Sequence, residues 1–107
     1  MDEKYLIICL RHGNWERYDN LVFWGKNRSG YYSDLSKVGL YTKDEAIKLC
    51  DAGDCFISID KIGITKELFE SINPAIEIKV KKTVEICNYV NTFVRIMKNK
   101  NLLKYGA

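Results

Sequence analysis

The residues best equipped for chemistry in this chain gather in one stretch, FWGKNRSGYYSDL, from Phe23 to Leu35. Gly25 and Gly30 are separated by four residues, the glycine spacing of a P-loop, whose backbone amides point at phosphates. That motif needs a lysine and then a serine or threonine after its second glycine, and Tyr31 and Tyr32 stand there instead. The next helix-start signal waits until Thr42, so no helix N-terminus lies behind the loop, and a nucleotide-hydrolysing P-loop is excluded. What survives is a polar turn, Lys26, Asn27, Arg28 and Ser29, between Trp24 and the Tyr31–Tyr32 pair. Arginine and lysine meet phosphate or carboxylate, while aromatic faces stack on bases or anchor protein interfaces. Trp24, Lys26, Asn27, Arg28, Tyr31 and Tyr32 are therefore the candidate partner- or ligand-binding residues. The same residues also fit an architectural turn, in which Trp24 and Tyr31 pack over a helix, Gly30 takes a positive φ and Asp34 caps a turn.

Other reactive side chains form no catalytic constellation. The single histidine, His12, could be paired with Cys9 or Cys50 as a thiol dyad, but no third group orients it, and beside Gly13 it reads as a solvated turn residue. Asp51, Asp54 and Asp60 cluster loosely; Asp51 and Asp54 suit a helix end and its following turn better than a magnesium site. The four cysteines, Cys9, Cys50, Cys55 and Cys87, contain no C-x-x-C pair, so reduced, mostly buried thiols are expected rather than zinc. No enzyme, metal or cofactor is expected.

The chain of 107 residues, 47% hydrophobic and 29% charged, is expected to fold as a single domain spanning 1–107. Its longest apolar run, Tyr5 to Leu10, is far shorter than the ~20 residues of a membrane span. The opening MDEKYL carries acids where a secretory leader would carry cations, so a cytoplasmic protein is expected. The net charge of +3 is lopsided: residues 75–107 hold seven cations and two acids. Lys79, Lys81, Lys82, Arg95, Lys98 and Lys100 form a candidate basic patch for nucleic acid or another polyanion, or else a solvated helix face.

These groups need a frame. Residues 4–11 are nearly all apolar, as in a strand covered on both faces. A turn-like segment, HGNWERYDN, separates it from a second strand over 18–25. TKDEAIKLCDAG carries a capping box, Thr42 with Glu45, ahead of a helix over 42–52 that presents Ala46, Ile47, Leu49 and Cys50 inward. Residues 55–60 alternate as a strand with one wetter face, and TKELFESI suits a short helix. Residues 74–80 fit strand or helix equally. From about Lys81 a long helix carries an apolar stripe at Val84, Cys87, Val90, Val94 and Met97, widened by Ile86, Phe93 and Ile96, which packs on a sheet or pairs with its copy in a homodimer. The fold is read as α+β: a small, mainly antiparallel sheet of about three strands, with one short helix and one long C-terminal helix.

The stretch from Phe23 to Ala46, FWGKNRSGYYSDLSKVGLYTKDEA, resembles a signature recurring in small proteins of bacteriophages and mobile elements. The matching residues are Trp24, Asn27, Gly30, Tyr31, Asp34, Gly39, Tyr41, Thr42, Glu45 and Ala46, about a quarter of the chain; Val38 departs from the small residue expected there. The resemblance transfers no activity. It implies a phage-encoded origin, and hence a binding protein that blocks or sequesters a host component: an anti-CRISPR-like inhibitor of a host protein or nucleoprotein effector, or a sponge for a nucleotide signal. The alternative is a direct nucleic-acid-binding module using the basic C-terminal helix.

Overall fold

The first strand, β1 (Tyr5–Cys9), shows why its sequence lacks alternation: Leu6, Ile7, Ile8 and Cys9 are all buried, because layers cover both faces of the sheet. The computed structural model describes residues 4–11, 14–17, 19–51 and 53–99, the side chains of residues 14, 98 and 99 apart. His12, Gly13, Tyr18 and Lys100 lie outside the described residues, as do the side chains of Asn14 and Lys98.

Three further strands, β2 (Phe23–Trp24), β3 (Tyr31–Tyr32) and β4 (Asp54–Ser58), complete an antiparallel sheet in the order β3-β2-β1-β4. Tyr5 stands opposite Ser58 and Cys9 opposite Asp54. On one face Leu6, Ile8, Phe23 and Ile57 pack with Ile86, Val90 and Phe93 of the C-terminal helix. On the other, Ile7, Cys9 and Trp24 pack with Tyr41 and Ala46. The architecture is α+β, as expected, with the long helix and a short one on opposite faces of the sheet.

The helices are α1 (Asn14–Arg17), α2 (Lys43–Leu49), α3 (Lys66–Glu70) and α4 (Val84–Asn99). At the start of α2 the Thr42 hydroxyl accepts from the Glu45 N–H at 3.1 Å, and the Glu45 carboxylate accepts from the Thr42 N–H at 2.8 Å, the reciprocal capping box that the sequence encodes. No helix among the described residues is long and apolar enough to cross a membrane.

Several boundaries differ from expectation. Strand β3 lies inside the segment read as a loop, because Gly25 and Gly30 close the chain into a hairpin. The second strand shrinks to Phe23–Trp24, and Leu21 pairs instead with Val80, its N–H donating to the Val80 carbonyl at 2.7 Å. Helix α2 stops at Leu49, since Cys50 is extended (φ −78°, ψ 111°), and Ile47 faces solvent rather than the core. The segment HGNWERYDN holds one helical turn, α1. Residues 59–62 coil into a 3-10 turn after β4. Helix α4 begins at Val84, which is 78% exposed; its buried stripe is centred on Ile86, Val90 and Phe93. Residues 74–80 are neither helix nor ladder strand, although Ile78 and Val80 are held extended along Leu35 and Leu21.

Asp34 ties that extended segment to the rest. Its carboxylate accepts from the Ser36 N–H at 3.1 Å, the Ser36 hydroxyl at 2.9 Å and the Ile78 N–H at 3.2 Å. The Ser36 amide bond, with that from Ile78, holds the Asp34 carboxyl below the usual carboxylate range. A carboxyl depressed in the folded state stabilises the fold above its unfolded pKa, and that contribution is lost as pH falls through the folded value. Urea unfolding at about pH 7 and about pH 3 should therefore show the wild type losing more stability on acidification than Asp34→Asn; equal losses would contradict the role given to Asp34.

Candidate functional site

The candidate loop begins where β2 ends, and its shape is set by two close approaches. A Cβ on Gly39 would lie 2.8 Å from the Gly25 carbonyl carbon and 2.8 Å from the Lys26 nitrogen, so only glycine lets these two backbone segments touch. Gly30, at φ +75°, turns the chain back into β3, and its carbonyl accepts from the Gly25 N–H at 2.8 Å.

Between the glycines, Asn27 (φ 54°) and Arg28 (φ 59°) are both left-handed, a conformation that costs a non-glycine residue on the order of 1 kcal/mol. The geometry is held from several sides. Within the turn, the Arg28 N–H donates to the Gly25 carbonyl at 3.0 Å and the Ser29 N–H to the Lys26 carbonyl at 2.9 Å. The buried Tyr41 hydroxyl donates to the Gly25 carbonyl and lies 3.3 Å from the Arg28 N–H. Burial raises the Tyr41 pKa, partly offset by Arg28, so the phenol stays protonated as a donor.

The Arg28 side chain explains why its backbone is worth straining. Its guanidinium lies 4.5 Å over the Trp24 ring. Nη1 donates to the Leu49 carbonyl at 2.9 Å and to Asp51 at 2.5 Å, and Nη2 lies 3.5 Å from Asp54. Leu49 is the last residue of α2, so Arg28 satisfies an orphan carbonyl and places a cation at the negative end of the helix. Burial pulls the Arg28 pKa down, but the bond to Asp51 and the charges of Asp54 and Asp51 more than offset it.

Asp54 is the deepest anchor. Fully buried at 0% exposure, its carboxylate accepts from the Trp24 indole N–H at 2.8 Å, the Asp51 N–H at 3.0 Å and Arg11 Nη2 at 3.3 Å. Arg11 crosses Gly53, where a Cβ would lie 2.6 Å from Arg11 Cγ. One cost is visible, since the buried Arg11 Nε has no hydrogen-bond partner among the described residues.

The candidate binding residues therefore divide. Trp24, 9% exposed, and Arg28 face inward and hold the loop. Lys26, Asn27, Tyr31 and Tyr32 face solvent, with Tyr31 42% and Tyr32 37% exposed. The Tyr31 ring meets Trp24 edge to face at 5.3 Å, which braces it from behind. Beside the loop a groove of ≈ 610 Å³ runs from Lys26 and Asn27 to Phe69, with Glu45 and Glu70 on its rim.

Of the basic patch, the side chains of Lys79, Lys81, Lys82 and Arg95 are described. Lys82 turns inward, donating to the Trp15 carbonyl with its ammonium 4.8 Å over the Trp15 ring. Arg95 lines a separate cleft of ≈ 470 Å³ with Trp15 and Glu16. Lys79 pairs with Glu77 at 3.0 Å, and Lys79 and Lys81 share a different groove with Lys61. Among the thiols, burial drives the Cys55 pKa upward, which suppresses the nucleophilic thiolate. No group of three or more His, Cys, Asp or Glu side chains among the described residues could hold a metal ion.

Sequence reasoning did not assign Asp54, Arg11 or Tyr41 to the loop. Tyr41 was within reach as part of the Phe23–Ala46 signature; the pairing of Asp54 with Trp24 spans 30 residues and has no local signal. Comparison of the chain with protein-family models, with curated proteins and with solved structures gave no match.

Removing the buried carboxylate leaves the Trp24 indole N–H without its acceptor and takes an ion-pair partner from both Arg11 and Arg28. Asp54→Ala is expected to lower unfolding stability by about 3–5 kcal/mol. Arg28→Ala should cost distinctly less in that background than in the wild type, with a coupling of about 1 kcal/mol or more in a urea-unfolding double-mutant cycle. Additive effects would dissolve the network.

Proposed function

We propose that this chain is a non-enzymatic binding protein, phage-encoded, that occludes a host protein or nucleoprotein effector, with Lys26, Asn27, Tyr31 and Tyr32 as its working surface. The observation that carries this reading is the direction of the loop's investment: Trp24, Arg28 and Tyr41 are committed to holding it in a strained left-handed turn. Backbone strain of this kind persists where surrounding structure over-determines it, and it clusters at recognition sites. A rigid loop loses little conformational entropy on binding, so its exposed tyrosines can act as anchors at low cost.

The resemblance of residues 23–46 to small phage and mobile-element proteins supports a counter-defence setting, with anti-CRISPR-like occlusion as its concrete form. A nucleotide-signal sponge is the weaker form, because the groove beside the loop is lined by two acids, Glu45 and Glu70, against one cation, Lys26, and so disfavours a phosphate. The second reading, a direct nucleic-acid-binding module, is favoured by one observation, the convergence of Lys61, Lys79 and Lys81 on one groove. Such a module would bind with a strong salt dependence.

The loop reading is tested with a Lys26→Glu, Tyr31→Ala double variant, whose altered side chains are solvent-facing and are not among the groups that hold Asp54. In pull-downs from host lysate the wild type should recover a partner that the folded variant loses by about tenfold or more. Equal recovery of every partner by both proteins would remove the loop as the binding surface.

A further inference from the structure

A second surface lies away from the loop. Three exposed apolar side chains fall within nine residues, Ile76, Ile78 and Val84, 55%, 37% and 78% exposed. Lys79 and Lys81 alternate with Ile78 and Val80 in an extended segment. With Lys61 they border a groove of ≈ 460 Å³ whose floor is aliphatic, formed by Ile62, Ile64, Ile78, Val80 and Ile86; Glu85 is the one acid against these three lysines in its lining.

The main chain of this segment is used on one edge only. The Ile78 carbonyl accepts from the Leu35 N–H at 2.8 Å, the Ile78 N–H reaches Asp34 at 3.2 Å, and the Val80 carbonyl accepts from the Leu21 N–H at 2.7 Å. Because an extended chain turns successive peptide groups to opposite edges, those of Lys79 and Lys81 point the other way. No hydrogen bond joins the backbone N–H or C=O of either lysine to another described residue.

From this arrangement we propose that residues 78–81 form a docking edge for an extended acidic segment of a partner protein, which adds as a strand beside Lys79 and Lys81. Its aliphatic side chains enter the groove and its carboxylates meet Lys61 and Lys81, and Lys79 in exchange for the exposed Glu77 that pairs with it. Strand addition takes affinity from main-chain hydrogen bonds and specificity from alternating side chains, and the ordered, half-paired segment supplies both halves of that template. The charge selects the occupant. A second copy of this chain would bring the same lysines face to face, which is how edge lysines prevent self-pairing; an acidic strand turns that repulsion into attraction. Single-stranded nucleic acid fits less well, because no aromatic side chain lines the groove to stack a base. This surface is independent of the Lys26–Tyr32 loop and stands or falls apart from it.

The test uses the full chain, isotopically labelled, and a peptide of about eight residues alternating glutamate with valine or leucine. The controls are the same peptide with lysine for glutamate and a single-stranded oligonucleotide of similar charge. The acidic peptide should shift the backbone amide resonances of Lys79 and Lys81, with weaker or no shifts from either control. Lys79→Glu, Lys81→Glu, both on exposed side chains, should weaken acidic-peptide binding by about tenfold or more while leaving the unfolding midpoint near that of the wild type. Absence of Lys79 and Lys81 amide shifts with the acidic peptide overturns the proposal without recourse to any variant. Equal or stronger shifts from the oligonucleotide overturn it in favour of a nucleic-acid surface, and equal shifts from the lysine peptide overturn the charge argument.

Discussion

A carboxylate removed from water must be repaid by partners close to it, and Asp54 is where this protein meets that requirement. It is held at the first residue of β4 by groups from four places in the chain: the end of β1 through Arg11, β2 through Trp24, the loop through Arg28, and the turn after α2 through the Asp51 amide. Burying that one charge therefore fixes the mutual positions of the central strands, the short helix and the hairpin loop. The loop inherits its rigidity from a site in the protein interior rather than from its own sequence.

Seen from Asp54, the Phe23–Ala46 signature is a set of mutually dependent contacts. Trp24 caps the buried carboxylate and carries Arg28 on its ring. Gly39 leaves room for Gly25, Tyr41 ties the Gly25 carbonyl, and the capping box of Thr42 and Glu45 starts the helix whose last carbonyl Arg28 receives. Replacing one member strains the others, which is the behaviour of a scaffold. The residues this scaffold leaves to solvent, Lys26, Asn27, Tyr31 and Tyr32, are the ones with side chains able to recognise something else.

Much of this frame was legible from local pattern. The unbroken apolar run at Tyr5–Leu10 signalled a strand buried on both faces, Thr42 and Glu45 signalled the start of α2, and Cys55 and Ile57 alternated with Phe56 and Ser58 as a half-buried strand should. The positive φ at Gly30 and the cap at Asp34 were also readable, since both depend on a few neighbouring residues. What escaped was set by distant partners. Two-residue strands such as β3 have too little periodicity to register. Ile47 and Val84 fit their helices' apolar stripes but face solvent, because tertiary packing chose which face of each helix to cover. Trp24 and Arg28 looked like surface anchors because aromatic and cationic residues in a polar turn usually are; the buried acid that claims them lies 30 residues from Trp24. Of the cations grouped as a basic patch, Lys79 and Lys81 border one groove while Lys82 turns to Trp15.

The central claim is that the loop is a fixed structure anchored through Asp54 and Tyr41. Amide hydrogen exchange tests this most directly, read at Gly25, Arg28 and Ser29, whose N–H groups donate within the turn. Their protection should fall within about tenfold of that of the sheet amide of Cys9 and should collapse in Tyr41→Phe and in Asp54→Asn, since opening the loop requires breaking the network. Exchange of these three amides at the rate of an unstructured chain, while the sheet stays protected, would contradict the account.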